Sequence, residues 1–284
     1  MLKLMYITND PRIAEIAQSA GVDRIFVDME YIGKADRQGG MDTVQSHHTV
    51  EDVKALREVL TTSELMVRIN PWHEATDEYC SSEDEINAVI EAGADVIMLP
   101  YFKTAEEVSL FVDCVNGRST TFPLLETSQA ADQLDHILAL HPDELHIGIN
   151  DLSISMGKPF MFELFADGTV ERIMDKCHLA GIPCGIGGIA RLGEGMLPAE
   201  YIIREHYRMG SQSAILSRSF CNTQQTTDLD EIRTILETGV AAIRELEAEC
   251  EAKLAAGDTE YFTTSKETMA EKIAAIVEKI NSRK

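Results

Sequence analysis

Basic residues are scarce in this chain: 25 Lys and Arg stand against 48 Asp and Glu, a formal charge of −23 over 284 residues. A deficit of that size excludes a surface that tracks a phosphate backbone or an anionic leaflet, because both need clustered cations. Neither nucleic acid nor a membrane surface is expected as a partner. There is also no apolar run near the ~20 residues of a membrane span, and no apolar stretch of signal-peptide length follows Met1, so a cytoplasmic location is the expectation. The six cysteines (Cys80, Cys114, Cys177, Cys184, Cys221 and Cys250) never form a C-x-x-C pair, and each lies in or beside an apolar segment. They read as reduced thiols rather than a disulfide scaffold or a structural zinc site. What the chain does have is apolar content, 44% of its residues, enough for the core of one large α/β domain.

Short apolar runs alternate with longer segments of helical periodicity, the pattern of successive βα units. Eight units are legible. The first strand, Leu2 to Thr8, precedes a helix signalled by Asp10-Pro11, a capping acid before a proline at the first helical position. Arg24 to Glu30 is the second strand, followed by the polar stretch YIGKADRQGGMDTVQSHH and a helix from about Thr49. ELMVRINP, DVIMLPYF, TTFPLLET, ELHIGIND, IPCGIGGIA and SQSAILSRSF supply the remaining strands. Their continuously apolar character marks strands covered on both faces, as in parallel sheets. Eight repeats in about 250 residues favour a (β/α)8 TIM barrel over a doubly wound sheet. The barrel is placed at residues 1–258, its last helix running from Asp228 to Ala256. Residues 259–284 are read as an additional helix with a capping box at Thr264 and Glu267. Its apolar stripe Met269, Ile273, Ile276, Val277 and Ile280 packs on its own barrel or is exchanged with a neighbouring subunit.

In such a barrel, chemistry belongs at the carboxyl ends of the strands. That rule selects Asp28 and Glu30, Arg68 and Asn70, Glu126, Asn150 and Asp151, Arg191, and Arg218. Glu126 and Asp151 finish adjacent strands, a spacing suited to a hard divalent cation that keeps several waters; the bland reading makes one a helix cap and the other a turn former. Arg68 presents a fixed cationic fork to a carboxylate or phosphate, or else makes a structural ion pair. Asp28 and Glu30 share one side of their strand and form a second acidic shell or hold a base. Gly187 and Gly188, in GIGGIARLGEG, fit an anion site or simply a tight turn. His47 and His48, in the long loop, are inert or serve as a base reaching in from it.

The segments VDME, MVRINP, AVIEAGADVIMLP, PLLET and GINDLSISMG, in this order, resemble the HpcH/HpaI aldolase and citrate lyase family of the phosphoenolpyruvate/pyruvate barrel superfamily. The resemblance implies a carbon–carbon lyase that uses Mg2+, Mn2+ or Co2+, held by Glu126 and Asp151. It implies that Arg68 holds the carboxylate of pyruvate or a related 2-oxo acid, that an enolate forms when the bond breaks, and that no Schiff-base lysine is needed. It also implies a homo-oligomer with an exchanged carboxyl-terminal helix, and an acid on the third helix, matched by Glu91, that helps the base in a neighbouring subunit.

Two positions depart from the family pattern. Tyr31 stands where a histidine base is usual, and Leu124 where a glutamine precedes the metal glutamate. An ordinary tyrosine, with pKa about 10, is a poor base at neutral pH. Either His47 or His48 substitutes for it, or water at the metal acts, or the reaction is not a simple aldol cleavage. The long loop and the ending GGIARLGEGMLPAE are similar to a subgroup found with surface-polysaccharide genes. That similarity implies an aldehyde or sugar-derived acceptor with Arg191 and Arg218 at its distal end, and Asn150 is taken as a further substrate contact. The rival expectations are an acyl-CoA thioester lyase and a barrel without chemistry that serves as a binding subunit.

Overall fold

The computed structural model describes residues 1–33, 48–223 and 225–282. The chain begins with β1 (Lys3–Ile7), α1 (Pro11–Ser19), β2 (Arg24–Asp28), α2 (Val50–Val59), β3 (Glu64–Arg68), α3 (Ser82–Glu91), β4 (Val96–Leu99), α4 (Ala105–Val115) and β5 (Thr120–Leu125). It continues through α5 (Ser128–Asp132), α6 (Leu134–Leu138), β6 (Leu145–Ile147), α7 (Ile149–Ser155), α8 (Glu163–Ala166), α9 (Thr169–Ala180), β7 (Cys184–Ile186) and β8 (Gly188–Ile189). The last elements are α10 (Ala199–Arg208), β9 (Ser213–Leu216), α11 (Leu229–Ala255) and α12 (Thr259–Asn281).

The strands are parallel throughout, in the order β7-β6-β5-β4-β3-β2-β1-β9-β8. β7 and β8 are two pieces of one barrel strand, which makes this the expected (β/α)8 barrel. β7 pairs with β6, β8 pairs with β9, and Gly187 joins them. The Gly187 N–H donates to Ile147 O at 2.8 Å, and its carbonyl accepts from Ile215 N at 3.1 Å. Its φ is +40°, and a Cβ there would lie 2.7 Å from Ile149; only glycine fits both conditions cheaply. Gly187 is therefore fully used in closing the barrel, and the expectation that it offers its backbone to an anion is corrected on that ground.

The helices start where their caps are. Asp10 accepts from Arg12 N ahead of Pro11, and Thr49 with Asp52, and Thr104 with Glu107, form reciprocal capping boxes. Each satisfies amides that the first helical turn leaves without partners. α12 begins earlier than its sequence signal: Asp258 caps it by accepting from Tyr261 N, and Thr264 and Glu267 lie inside it. Phe262, Met269 and Ile273 are buried as α12 packs on α10 and α8 of its own chain. The segment after β5 forms two short helices, α5 and α6, parted at Gln133.

Two apolar layers result. One lies between the strands and the helices; the other fills the barrel with Met5, Phe26, Met66, Val96, Met98, Phe122 and Leu124. All six cysteines are free thiols, four of them buried. No helix among the described residues is long and apolar enough to cross a membrane.

Candidate functional site

At the carboxyl-terminal mouth the second and third strands end in a fork-to-fork pair. Arg68 donates from Nε to Asp28 Oδ1 at 2.9 Å and from Nη2 to Asp28 Oδ2 at 2.8 Å. Glu30 Oε2 lies 3.3 Å from Nε. The strand's period of two brings both acids to the same side. The guanidinium stands over the Phe26 ring, 5.2 Å from its centroid, at the top of the apolar barrel filling. Burial opposes its charge, but Asp28 and then Glu30 outweigh that and hold it more firmly protonated than a free arginine. Nη1 has no protein partner among the described residues.

Glu126 follows β5 and is 4% exposed. It does not cap the next helix; Thr127 does, accepting from Ala130 N. Its Oε2 instead accepts from Tyr101 N at 3.0 Å. Tyr101 adopts φ +48° to present that amide, a left-handed conformation that costs a bulky residue about 1–3 kcal/mol and is found where function constrains the backbone. Burial pushes the Glu126 carboxyl well above the ordinary carboxylate range, and the nearby charges of Glu30 and Asp151 push it the same way, against Arg68. Leu124, two residues earlier, faces the barrel interior and so gives the carboxylate an apolar floor where a glutamine would give a hydrogen bond.

Asn150 and Asp151 were expected on the end of a strand but occupy the first turn of α7, because β6 stops at Ile147. Ser153 Oγ donates to Asn150 O at 2.7 Å. Asp151 is half-buried and close enough to Glu126 to raise its proton affinity, whereas Asn150 is exposed.

The other expected residues are placed as follows. Tyr31 is half-buried, and burial, then Asp28, Asp52 and Glu85, push its phenol up to about 12. It is a donor at neutral pH and not a base. His48 is buried and its Nδ1 accepts from Asp28 N at 3.0 Å. That bond requires the neutral ring to carry its proton on Nε2, so His48 takes up a proton only by giving up the Asp28 amide. His47 lies outside the described residues. Glu91 is exposed on the last residue of α3, away from the mouth of its own barrel. Arg191 pairs with Glu194 at 2.8 Å and keeps a buried Nε without a partner; Arg218 is exposed in the loop after β9, and Gly188 opens β8.

The structure adds three residues that the strand-end rule did not select: Glu85, Tyr101 and the core histidine His146. Glu85 was detectable in principle, because the first turn of a helix that follows a barrel strand always borders the mouth.

The fold and the site define a (β/α)8 barrel with Arg68 and the carboxylates of Asp28, Glu30, Glu126 and Asp151 at its carboxyl-terminal mouth. Residues 3–184 match the family model described as HpcH/HpaI aldolase/citrate lyase, and the chain belongs to that family of aldolase and lyase type. Among solved structures, an HpcH/HpaI aldolase/citrate lyase family protein from Burkholderia cenocepacia J2315 is similar with a TM-score of 0.60 and 17% identity, over 82% of this chain and 94% of its own. An HpcH/HpaI aldolase from Desulfitobacterium hafniense DCB-2 gives 0.56 and 18%, over 83% and 93%. Citrate synthase SbnG gives 0.58 and 16%, over 81% and 92%. At these identities the likeness is one of fold. No curated protein matches the sequence.

Proposed function

We propose that the chain is a divalent-metal-dependent carbon–carbon lyase acting on a 2-oxo acid of the pyruvate type or its aldol adduct, with an aldehyde or sugar-derived acceptor. The observation that carries this reading is the buried carboxylate of Glu126. The charges that press on it most are those of Glu30 and Asp151, while Arg68 is engaged by Asp28 and Glu30. A buried carboxylate whose largest neighbouring charges are also negative fits a cation. Mg2+ and Mn2+ are taken by one or two carboxylates with waters and a chelating substrate; among the described residues no three His, Cys, Asp or Glu side chains stand at metal-ligand spacing.

Glu126 and Asp151 would hold the ion. When bound, it supplies a Lewis acid for the keto and carboxylate oxygens of the substrate and so stabilises an enolate. The remaining tasks belong to the protein. Arg68 is held in place through Nε and Nη2 and offers Nη1 to an anionic oxygen of the substrate. The apolar floor of Phe26 and Leu124 keeps water from beneath the reacting carbons and strengthens every charge interaction above it. Tyr31 donates a hydrogen bond and does not remove a proton. In the cleavage direction the hydroxyl proton leaves, the carbon–carbon bond electrons pass to the 2-oxo acid carbon as its enolate, and protonation of the methylene completes pyruvate.

The test is exchange of pyruvate methyl protons with deuterium, followed by NMR with and without Mg2+ or Mn2+. Exchange is expected only with metal, and Glu126→Gln is expected to lower it at least a hundredfold. Exchange that is absent with every metal overturns the pyruvate enolate, and exchange that persists in Glu126→Gln overturns the assigned ligand.

A further inference from the structure

Glu85, in the first turn of α3, is 5% exposed, and among the described residues its carboxylate is held by hydrogen bonds from Asn70 and makes no ion pair with a Lys or Arg. Its partner is Asn70, just past the end of β3. Asn70 Nδ2 donates to Glu85 Oε1 at 2.9 Å, and Asn70 N reaches the two carboxylate oxygens at 3.3 and 3.2 Å. These contacts decide which way the carboxamide faces, because an amide turned over would set its oxygen against the carboxylate.

The oxygen is thereby aimed at the chain leaving β2. Asn70 Oδ1 accepts from Tyr31 N at 2.8 Å and from Ile32 N at 3.0 Å. Two consecutive amides on one oxygen fix the path of the backbone just after Glu30. Upstream, Glu30 N donates to Asp28 Oδ1 at 3.3 Å, and both acids meet Arg68. The chain is thus held at Arg68 on one side of Glu30 and at Asn70 on the other.

We infer that Glu85 and Asn70 are positioning residues, a bracket that sets the exit of β2 and so holds Asp28 and Glu30 where they orient Arg68 for substrate. Neither residue touches the reacting atoms. His73 and Cys80 of the β3–α3 loop and Tyr31 of the β2 exit are titratable groups that feel or exert a charge interaction with Glu85. None of them replaces the Asn70 contact.

The kinetic part of this inference rests on the enolate reading, whereas the structural part does not, and the test separates them. In the unsubstituted chain, hydrogen exchange followed by NMR should show the Tyr31 and Ile32 amides protected at least a hundredfold. If they exchange as fast as an open chain, the bracket does not exist. Asn70→Ala and Glu85→Leu should each expose those two amides while the strand amides of β1 and β4 stay protected. They should also raise the KM for pyruvate exchange about tenfold, the scale on which outer-shell partners act. Glu85→Gln keeps an oxygen at the Oε1 position and should restore both protection and KM. If KM is unchanged while only the melting temperature falls, the role is merely structural and the inference is overturned. Absence of pyruvate exchange in the unsubstituted protein would sink the functional reading and leave the amide measurements to decide the bracket.

Discussion

The two mouths of the barrel each carry an arginine at a strand terminus, Arg24 opening β2 and Arg68 closing β3, and they treat it in opposite ways. At the amino-terminal mouth Arg24 is fully buried, donating to Glu64 at 2.6 Å and to both oxygens of Glu144 at 2.6 and 2.7 Å. Lys3 joins the same two acids, at 3.1 Å from Glu144 and 3.8 Å from Glu64. Two cations meet two anions, and the Arg24 guanidinium also stacks 5.3 Å from the Phe122 centroid. At the carboxyl-terminal mouth Arg68 is shared by Asp28 and Glu30, and the buried Glu126 near them is pushed toward keeping its proton. The first arrangement neutralises itself and serves as a plug. The second holds a carboxyl whose charge its surroundings disfavour, the kind of group found at functional sites. Barrels divide their labour this way because the loops that vary lie at one end only.

The plug is where substitution should cost most. Arg24→Met removes the shared partner of Glu64 and Glu144, and breaking a buried pair costs about 3–5 kcal/mol. Because Glu64 is 42% exposed and can rehydrate, the lower end is expected. Urea unfolding should show that loss while metal-dependent pyruvate exchange in the folded fraction is unchanged. A loss of less than about 1 kcal/mol would mean that the plug is no more than a surface ion pair.

Between the mouths, burial pushes His146 down to about 4 and His206 to about 3, from an ordinary 6.5. His146 uses Nε2 on Gly187 O at 3.2 Å, and His206 uses Nδ1 on Ser211 Oγ at 2.9 Å; each leaves a buried nitrogen without a partner. Since the folded values lie below the unfolded one, the unfolded chain takes up these protons first. Stability is therefore full above about pH 6.5 and falls as pH drops toward 4, by about 1.4 kcal/mol per pH unit for each group. Melting curves between pH 7 and 5 should show His146→Gln with a shallower fall than the parent. Identical slopes would show that His146 titrates at the same pH folded and unfolded.

The smallest effect should come from the open mouth, and its sign is the informative part. Glu126 has a raised folded value, so its contribution to stability is present below the unfolded value of about 4.5 and is lost as pH rises. Glu126→Gln should therefore raise the stability of the metal-free protein at pH 7, with no gain at pH 4. Mg2+ or Mn2+ should raise the melting temperature of the parent and not of the variant. A variant less stable than its parent at pH 7 would show that its surroundings do not disfavour the Glu126 charge.

Much of this was legible before any coordinates, for identifiable reasons. The eight βα repeats follow from apolar periodicity, and Asp10-Pro11 and Thr49 mark helix starts because capping is local chemistry. Asp28, Glu30, Arg68 and Glu126 were picked by one rule, that polar residues at strand ends face the mouth, and the structure brings them together. The same rule passed over Arg24, which opens its strand and does not end it. It also misplaced Asp151, because nothing in ELHIGIND shows the strand stopping at Ile147 in favour of a helix. Glu85 was one acid among several in SSEDE, and only packing distinguishes the buried one. The left-handed backbone of Tyr101 leaves no trace in residue type, since tyrosine has no preference for it. Gly187 was read as a ligand contact because close backbone approach looks the same in sequence whether the neighbour is a phosphate or Ile149.

The interruption at Gly187 gives the barrel a seam. β7 belongs by its hydrogen bonds to the wall built from β1 through β6, and β8 belongs to β9, so the pieces on either side of one residue answer to different neighbours. The family match stops at residue 184, on the near side of that seam. Closure is therefore covalent at that strand: Gly187 is hydrogen-bonded through its amide to Ile147 and through its carbonyl to Ile215, so a single residue ties the sixth strand to the last and the ring cannot part there without breaking one of those two bonds.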